Sequence, residues 1–191
     1  MGRLNETLRK SIHLSSLLIP FGYRYILGYN RRVAFVMLLA ALVISLVIEF
    51  NRFWQRSFRK TFHRIFGLIL RKHELKDFTG ATYLLVASLL CVAFFDEPIA
   101  AVSIAYLSIG DTFAALIGMN FGKHNHKSME GSLACFVSCA IFGLWWQANP
   151  WQAIVGALAA TAAELSNVAL DDNIKIPLAS ALAMTLVSLF I

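Results

Sequence analysis

Asp111 is the residue whose position most demands a chemical explanation. It lies in SIGDTFAALIGMNFGK, residues 108–123, deep within an apolar run. An ionisable group in such a place is costly to bury and marks a functional site by default. Gly110 precedes it. Ala115, Gly118 and Gly122 follow at steps of three or four, which places them on its helical face. Small residues there leave the carboxylate beside an open groove. Small residues at this spacing also bring helices together, so the glycines admit a packing reading. An acid at that depth does not.

The segment that follows, GKHNHKSMEGS, supplies cations in Lys123 and Lys127 and a hydroxyl in Ser128. Gly122 and Gly131 allow close approach of backbone. Ser128, Glu130 and Gly131 can begin the next helix, whose free N–H groups suit a phosphate. The pattern is not that of a P-loop. The competing reading is a polar loop with Ser128 as helix N-cap. His124 and His126 are treated as passive loop residues.

A third group is ELSNVALDDN. Read as one helix, it puts Glu164, Asn167 and Asp171 on one face, with Asp172 and Asn173 immediately after. Hard oxygen ligands around a helix end suit magnesium, which takes carboxylates together with substrate phosphates. Asp172 also admits a plain helix-ending turn. Two further pieces are RKSIH, with Arg9, Lys10 and His13, and EFNR, with Glu49 and Arg52. Glu49 has a partner available in Arg52 one turn later.

The elements that position these residues follow from composition. Of 191 residues, 58% are hydrophobic and 15% charged, against about 25% charged in a soluble domain. Mean hydropathy is +0.65. Lipid can cover that much apolar surface; a soluble core of this size cannot. The expected fold is therefore all-α, a polytopic membrane bundle forming a single domain over 1–191. About seven spans are expected: 12–27, 32–50, 79–95, 98–121, 131–147, 150–170 and 176–191. The first is broken by Pro20 and Gly22 and carries Arg24. No cleavable signal peptide is apparent.

Between the second and third spans, residues 51–76 carry Arg52, Arg56, Arg59, Lys60, Arg64, Arg71, Lys72 and Lys76, eight of the 17 Lys and Arg. Phe58, Phe62, Ile65, Phe66, Ile69 and Leu70 recur among them at helical spacing. Such a segment is expected to form a basic amphipathic helix in the headgroup layer and to face the cytoplasm. Alternation then brings every group described above to that same face. Arg31 and Arg32 fall on the opposite side and contradict the scheme mildly. The net charge of +6 reflects topology rather than nucleic-acid binding, because the cations flank spans instead of coating a soluble module. Cys91, Cys135 and Cys139 all lie in apolar runs and read as packing residues.

Acids for a metal, cations for phosphates and a groove into lipid suggest phosphoryl transfer to a lipid. RKSIH, EFNR, SIGDTFAALIGMNFGK, KSMEGS and ELSNVALDDNIKIP, in that order, resemble the CTP-dependent lipid kinases that include dolichol kinase, phytol kinase and the fungal-type diacylglycerol kinase. The resemblance runs from Arg9 to Pro177. It implies a polytopic enzyme that passes the terminal phosphate of CTP to a lipid alcohol with magnesium. It implies that Arg9 and Lys10 belong to the active site and that Asp111 is an essential acid near the metal. It further implies that Lys123, Lys127 and Ser128 lie along the triphosphate, that Glu130 orients Lys127, and that Glu164, Asp172 and Asn173 complete the metal and nucleotide site. The chain lacks the extra membrane segments of eukaryotic dolichol kinases and is expected to be a minimal prokaryotic form. Asp111 either takes the hydroxyl proton or holds metal. Two rivals are a phosphatidate cytidylyltransferase, which would release pyrophosphate instead of CDP, and an ion-coupled transporter. The first lacks its expected carboxy-terminal acidic pattern here, and the second lacks the inverted repeats common in transporters.

Overall fold

The computed structural model describes residues 3–71, 73–121, 128–146 and 149–190. All regular structure among them is helical. The α-helices in chain order are α1 (Arg3–Ser15), α2 (Leu18–Phe21), α3 (Arg31–Trp54), α4 (Arg56–Phe66), α5 (Gly80–Phe94), α6 (Glu97–Phe121), α7 (Met129–Trp146), α8 (Pro150–Leu165) and α9 (Asp172–Ser188).

Local chemistry explains most boundaries. Asn30 caps α3 by accepting from the Val33 N–H at 3.2 Å. Asn149 does the same for α8 through Trp151 N–H at 2.9 Å, with Pro150 in the first turn, where its missing N–H does no harm. Asp171 caps α9 by accepting from Asn173 N–H at 2.9 Å. Ser128 caps α7 by accepting from Gly131 N–H at 3.1 Å.

Helix α6 is the axis of the bundle. It packs against α1, α2, α5, α7, α8 and α9, and 83% of its most apolar window is buried. In α3 only 17% of the corresponding window is buried, so its apolar side chains face outward, as on a lipid-facing helix. Three helices are long and apolar enough to cross a membrane by length and composition: Arg31–Trp54, Glu97–Phe121 and Met129–Trp146. Helices α5, α8 and α9, with 15, 16 and 17 residues against the roughly 20 of a typical spanning helix, bring the apolar helices to six, and the seventh expected span is the segment 12–27.

Two expectations are corrected. Residues 12–27 are not one continuous helix. Helix α1 ends at Ser15, α2 follows at Leu18, and Gly22–Ile26 is a π-helical turn. Pro20 has no N–H to continue the ladder. Residues 150–170 do not form one helix either. Helix α8 stops at Leu165, Ser166 turns extended at ψ 140°, and the Ser166 hydroxyl closes on Ala163 O at 2.7 Å. Glu164, Asn167 and Asp171 therefore share no helical face. Asp172 opens α9 rather than ending a helix.

Arg31 has a local role on its side of the bundle. It donates to Phe95 O at 2.8 Å and lies 3.2 Å from Glu97 Oε1, capping the end of α5 and joining it to the start of α6.

Candidate active site

Helix α1 lies against α6 and places Lys10 over Asp111. The Lys10 Nζ is 2.5 Å from Asp111 Oδ2 and donates to Asp111 O at 3.0 Å. Lys10 is 2% exposed and Asp111 9%, so the charges face each other with little solvent between them, where an ion pair is strong but each partner depends on the other. Burial pushes the Lys10 ammonium below its ordinary pKa, and Asp111 pulls it back only in part. His13, one turn on from Arg9, brings Nε2 to 3.4 Å from Asp111 Oδ2. That nitrogen is buried and makes no hydrogen bond. One turn further, Ser16 Oγ meets Ser108 Oγ at 2.6 Å, a second tie between the two helices. Arg9 pairs with Glu6 on its own helix.

A cavity of about 480 Å³ opens in front of this cluster. Arg9, Lys10, His13 and Asp111 line one side, Glu49, Glu74 and Asn173 another, and Ile12, Ile48, Phe62, Phe66 and Leu84 the apolar remainder. Four pieces expected from sequence, RKSIH, Glu49, Asp111 and Asn173, thus meet in one place.

Arg52 stands behind the cavity wall. Its guanidinium is 2.5 Å from Glu49 Oε2, donates to Glu74 O at 2.5 Å and also donates to Asp77 O. Glu49 Oε1 accepts from Thr79 N–H at 2.8 Å and from the Thr82 hydroxyl at 3.2 Å. Glu74 accepts from Arg71 N–H at 2.7 Å and Gly80 N–H at 2.8 Å. This buried network straps residues 71–80 to the end of α3 and shapes the cavity. Glu49 and Arg52 therefore set the wall, Glu49 lining the cavity and Arg52 holding it. Sequence reasoning missed Glu74 and treated Arg71 only as a topology signal. The available clue was that Glu74 is the one acid in the basic segment 51–76.

A second neighbourhood joins α6, α7 and α8. A Cβ on Gly131 would stand 2.7 Å from Ala114 O, and one on Gly118 would stand 3.3 Å from Ser128 Oγ. Gly110 likewise packs on Cys135 and Cys139, where a Cβ would lie 2.8 and 2.9 Å from their Sγ atoms. Ser132 donates to Glu164 Oε2 at 3.4 Å, linking the start of α7 to the end of α8. Glu130 is exposed and Asn167 lies on the exposed loop before α9. Asp172 is 2.9 Å from Lys175, and Asp171 is 3.6 Å from Arg71 and 3.8 Å from His73. Gly122, Lys123 and Lys127 lie outside the described residues.

Among the described residues no three His, Cys, Asp or Glu side chains converge as a metal cage. Magnesium carried in by a triphosphate requires only one or two protein carboxylates beside the phosphate oxygens. Asp111, at the cavity wall, is suited to that smaller demand.

The fold and the site together define a helical membrane protein with acids and cations in the wall of a largely apolar cavity. CTP-dependent diacylglycerol kinase 1 of Schizosaccharomyces pombe is 30% identical over 164 residues, covering 74% of this chain and 73% of that one. An uncharacterized protein of Rickettsia prowazekii is 28% identical over 195 residues, 95% of this chain and 94% of its own length. A probable chloroplastic phytol kinase of Triticum aestivum is 33% identical over 126 residues, 54% of this chain and 42% of its own. No family model matches the chain. No solved structure matches it. The chain belongs to the family of CTP-dependent lipid kinases.

Proposed function

We propose that this chain transfers the γ-phosphate of CTP to the hydroxyl of a membrane lipid alcohol, of the diacylglycerol or isoprenoid kind. The observation that carries the reading is the Lys10–Asp111 pair. It joins residues 101 apart in the chain at the wall of a cavity lined by both ionic and apolar side chains. Two of the relatives above are named as a CTP-dependent diacylglycerol kinase and a probable phytol kinase, which agrees with that mixed lining.

Lys10 holds and orients the Asp111 carboxylate. Arg9 stands beside it as a cation for phosphate oxygens, and Lys123, Lys127 and Ser128 follow the triphosphate. Asn173 borders the same cavity and contributes to nucleotide binding. Asp111 serves the attacking hydroxyl as proton acceptor or serves as metal ligand. Glu164 and Asp172 are the further acids of the site. Magnesium, when bound, neutralises charge on the phosphates. Positioning and charge neutralisation supply most of the catalysis in such transfers. We assign the whole chain to one catalytic unit, in a prokaryotic cytoplasmic membrane, with the site on the cytoplasmic face.

The direct test is purified protein in detergent with labelled CTP or ATP and a panel of lipid alcohols. A phosphorylated lipid with release of CDP is the expected result. A CDP-lipid with pyrophosphate would assign the chain to cytidylyl transfer instead. Asp111→Asn should lower turnover by at least about 10²-fold while the protein still inserts in the membrane. Full activity in that variant would overturn the role of Asp111.

A further inference from the structure

We infer that the cavity between α1, α3, α4 and α5 is the binding site of the lipid acceptor, which enters it sideways through the gap between α1 and α3. The inference rests on the lipid-kinase reading above and adds where the lipid binds and how it arrives.

Three observations point there. Helix α1 packs on α6, whereas α3 packs on α5 and α4, with α5 joining the two through its own packing on α6, so the cavity lies between α1 and α3 with α5 behind it. Ile12 on α1 and Ile48 on α3 both line it, yet they are 55% and 39% exposed. They therefore stand at a mouth rather than in a closed wall. That mouth is flanked by the outward apolar side chains of α3, the least buried of the three long apolar helices. A water-soluble substrate would meet an apolar rim there, whereas a lipid alcohol meets a surface like its own solvent.

The lining carries both kinds of chemistry that such a molecule needs. The hydroxyl reaches Lys10, His13 and Asp111, while the chain leaves along the exposed Ile12 and Ile48. Helix α4 supplies Phe62 and Phe66 to the lining, their rings 4.9 Å apart, and none of its residues is buried. It covers the cavity from the headgroup side. About 480 Å³ falls within the roughly 300–1,000 Å³ of small-molecule sites and takes the reactive end of a lipid, with the remaining chain left in the bilayer. The shared chemistry is a hydroxyl on a long apolar chain, which diacylglycerol and phytol both supply.

The test uses full-length protein in nanodiscs with diacylglycerol and phytol as separate arms. Ala81 lines the cavity but is distant in function from the ionic cluster, so Ala81→Trp fills the site without removing a charge. The KM for the phosphorylated alcohol should rise at least tenfold while the KM for CTP stays within twofold. Met37→Trp, exposed on α3 about three turns from Ile48 and outside the cavity lining, should change neither. A wild-type chain labelled with a diazirine-bearing lipid alcohol should carry the label on α1, α3 or α4. A rise in the CTP KM alone would assign the cavity to the nucleotide. Unchanged lipid KM in Ala81→Trp, or labelling confined to α7 and α8, would overturn the inference. Wild-type protein that phosphorylates no alcohol would instead overturn the lipid-kinase reading. The labelling arm reports lipid binding in either event and does not depend on the folding of Ala81→Trp.

Discussion

Buried charge dominates this molecule at the scale of single residues, and it is organised in pairs. Lys10 answers Asp111, and Arg52 answers Glu49. The second pair shows what each charge is for. Arg52 is 1% exposed and Glu49 2%, and between them they bind the backbone at Glu74, Asp77 and Thr79. Breaking a buried pair by removing one member leaves the other charge uncompensated, at a cost of about 3–5 kcal/mol. Glu49→Gln keeps the shape but leaves the guanidinium alone. It should lower the thermal midpoint in detergent sharply, and Arg52→Met added to it should lose less than the two single effects combined. Strict additivity in that double-mutant cycle would show that the pair does not act as a unit.

Helices with strong local signals were legible in the sequence almost to the residue. The apolar runs 32–50, 79–95, 98–121 and 131–147 became α3, α5, α6 and α7 within a few positions of expectation. The break in 12–27 was itself legible in Pro20 and Gly22. The misreading occurred where a short-range competitor outweighed hydropathy, because Asp171 makes a better cap for α9 than a continuation of α8. The motifs themselves were legible, but their convergence was not. No spacing rule connects Lys10 to a carboxylate 101 residues away. Nor does one reveal that Glu74 bonds Arg71 and Gly80. The glycines near the site show the same limit. Small-xxx-small spacing left packing and phosphate binding equally open, and the α6–α7 contact now separates them by position. A Cβ at Gly131 would press on the Ala114 carbonyl at 2.7 Å, a backbone atom with nowhere to go, whereas one at Gly118 meets only a serine hydroxyl at 3.3 Å. Gly131→Ala should therefore destabilise the protein by about 1–3 kcal/mol, as overpacking does, and Gly118→Ala by clearly less. Equal melting of both variants, with a raised KM for CTP in Gly131→Ala, would favour phosphate binding over packing.

At the scale of the whole molecule, the chemistry gathers at one end of the bundle. The C-terminal ends of α3, α6 and α8 meet the N-terminal ends of α5, α7 and α9 there, with Lys10 and His13 of α1 beside them. The opposite end carries Arg24 over Trp146 at 4.6 Å and the rings of Phe21, Tyr25 and Phe142 around it. The amphipathic rings among them, Tyr25 and Trp146, favour the membrane–water boundary. Arg31 lies at that end too, but its bonds to Phe95 O and Glu97 give it a structural reason to be there. Its presence therefore does not weigh against the orientation set by the basic segment 51–76. That orientation is open to a clean measurement, because Cys91, Cys135 and Cys139 are all buried and 0% exposed and should not react with a bulky maleimide. Arg64 on α4 and Asp96 before α6 are both exposed, and a cysteine introduced at either would be the reactive thiol of its variant. In intact cells a membrane-impermeant maleimide should modify Asp96→Cys and spare Arg64→Cys, and in inverted vesicles the pattern should reverse. Labelling of Arg64→Cys from outside would place the catalytic end on the outer face, away from the cell's supply of nucleoside triphosphate. The proposed donor would then be out of reach, so the topology measurement bears on the chemistry as directly as an activity assay does.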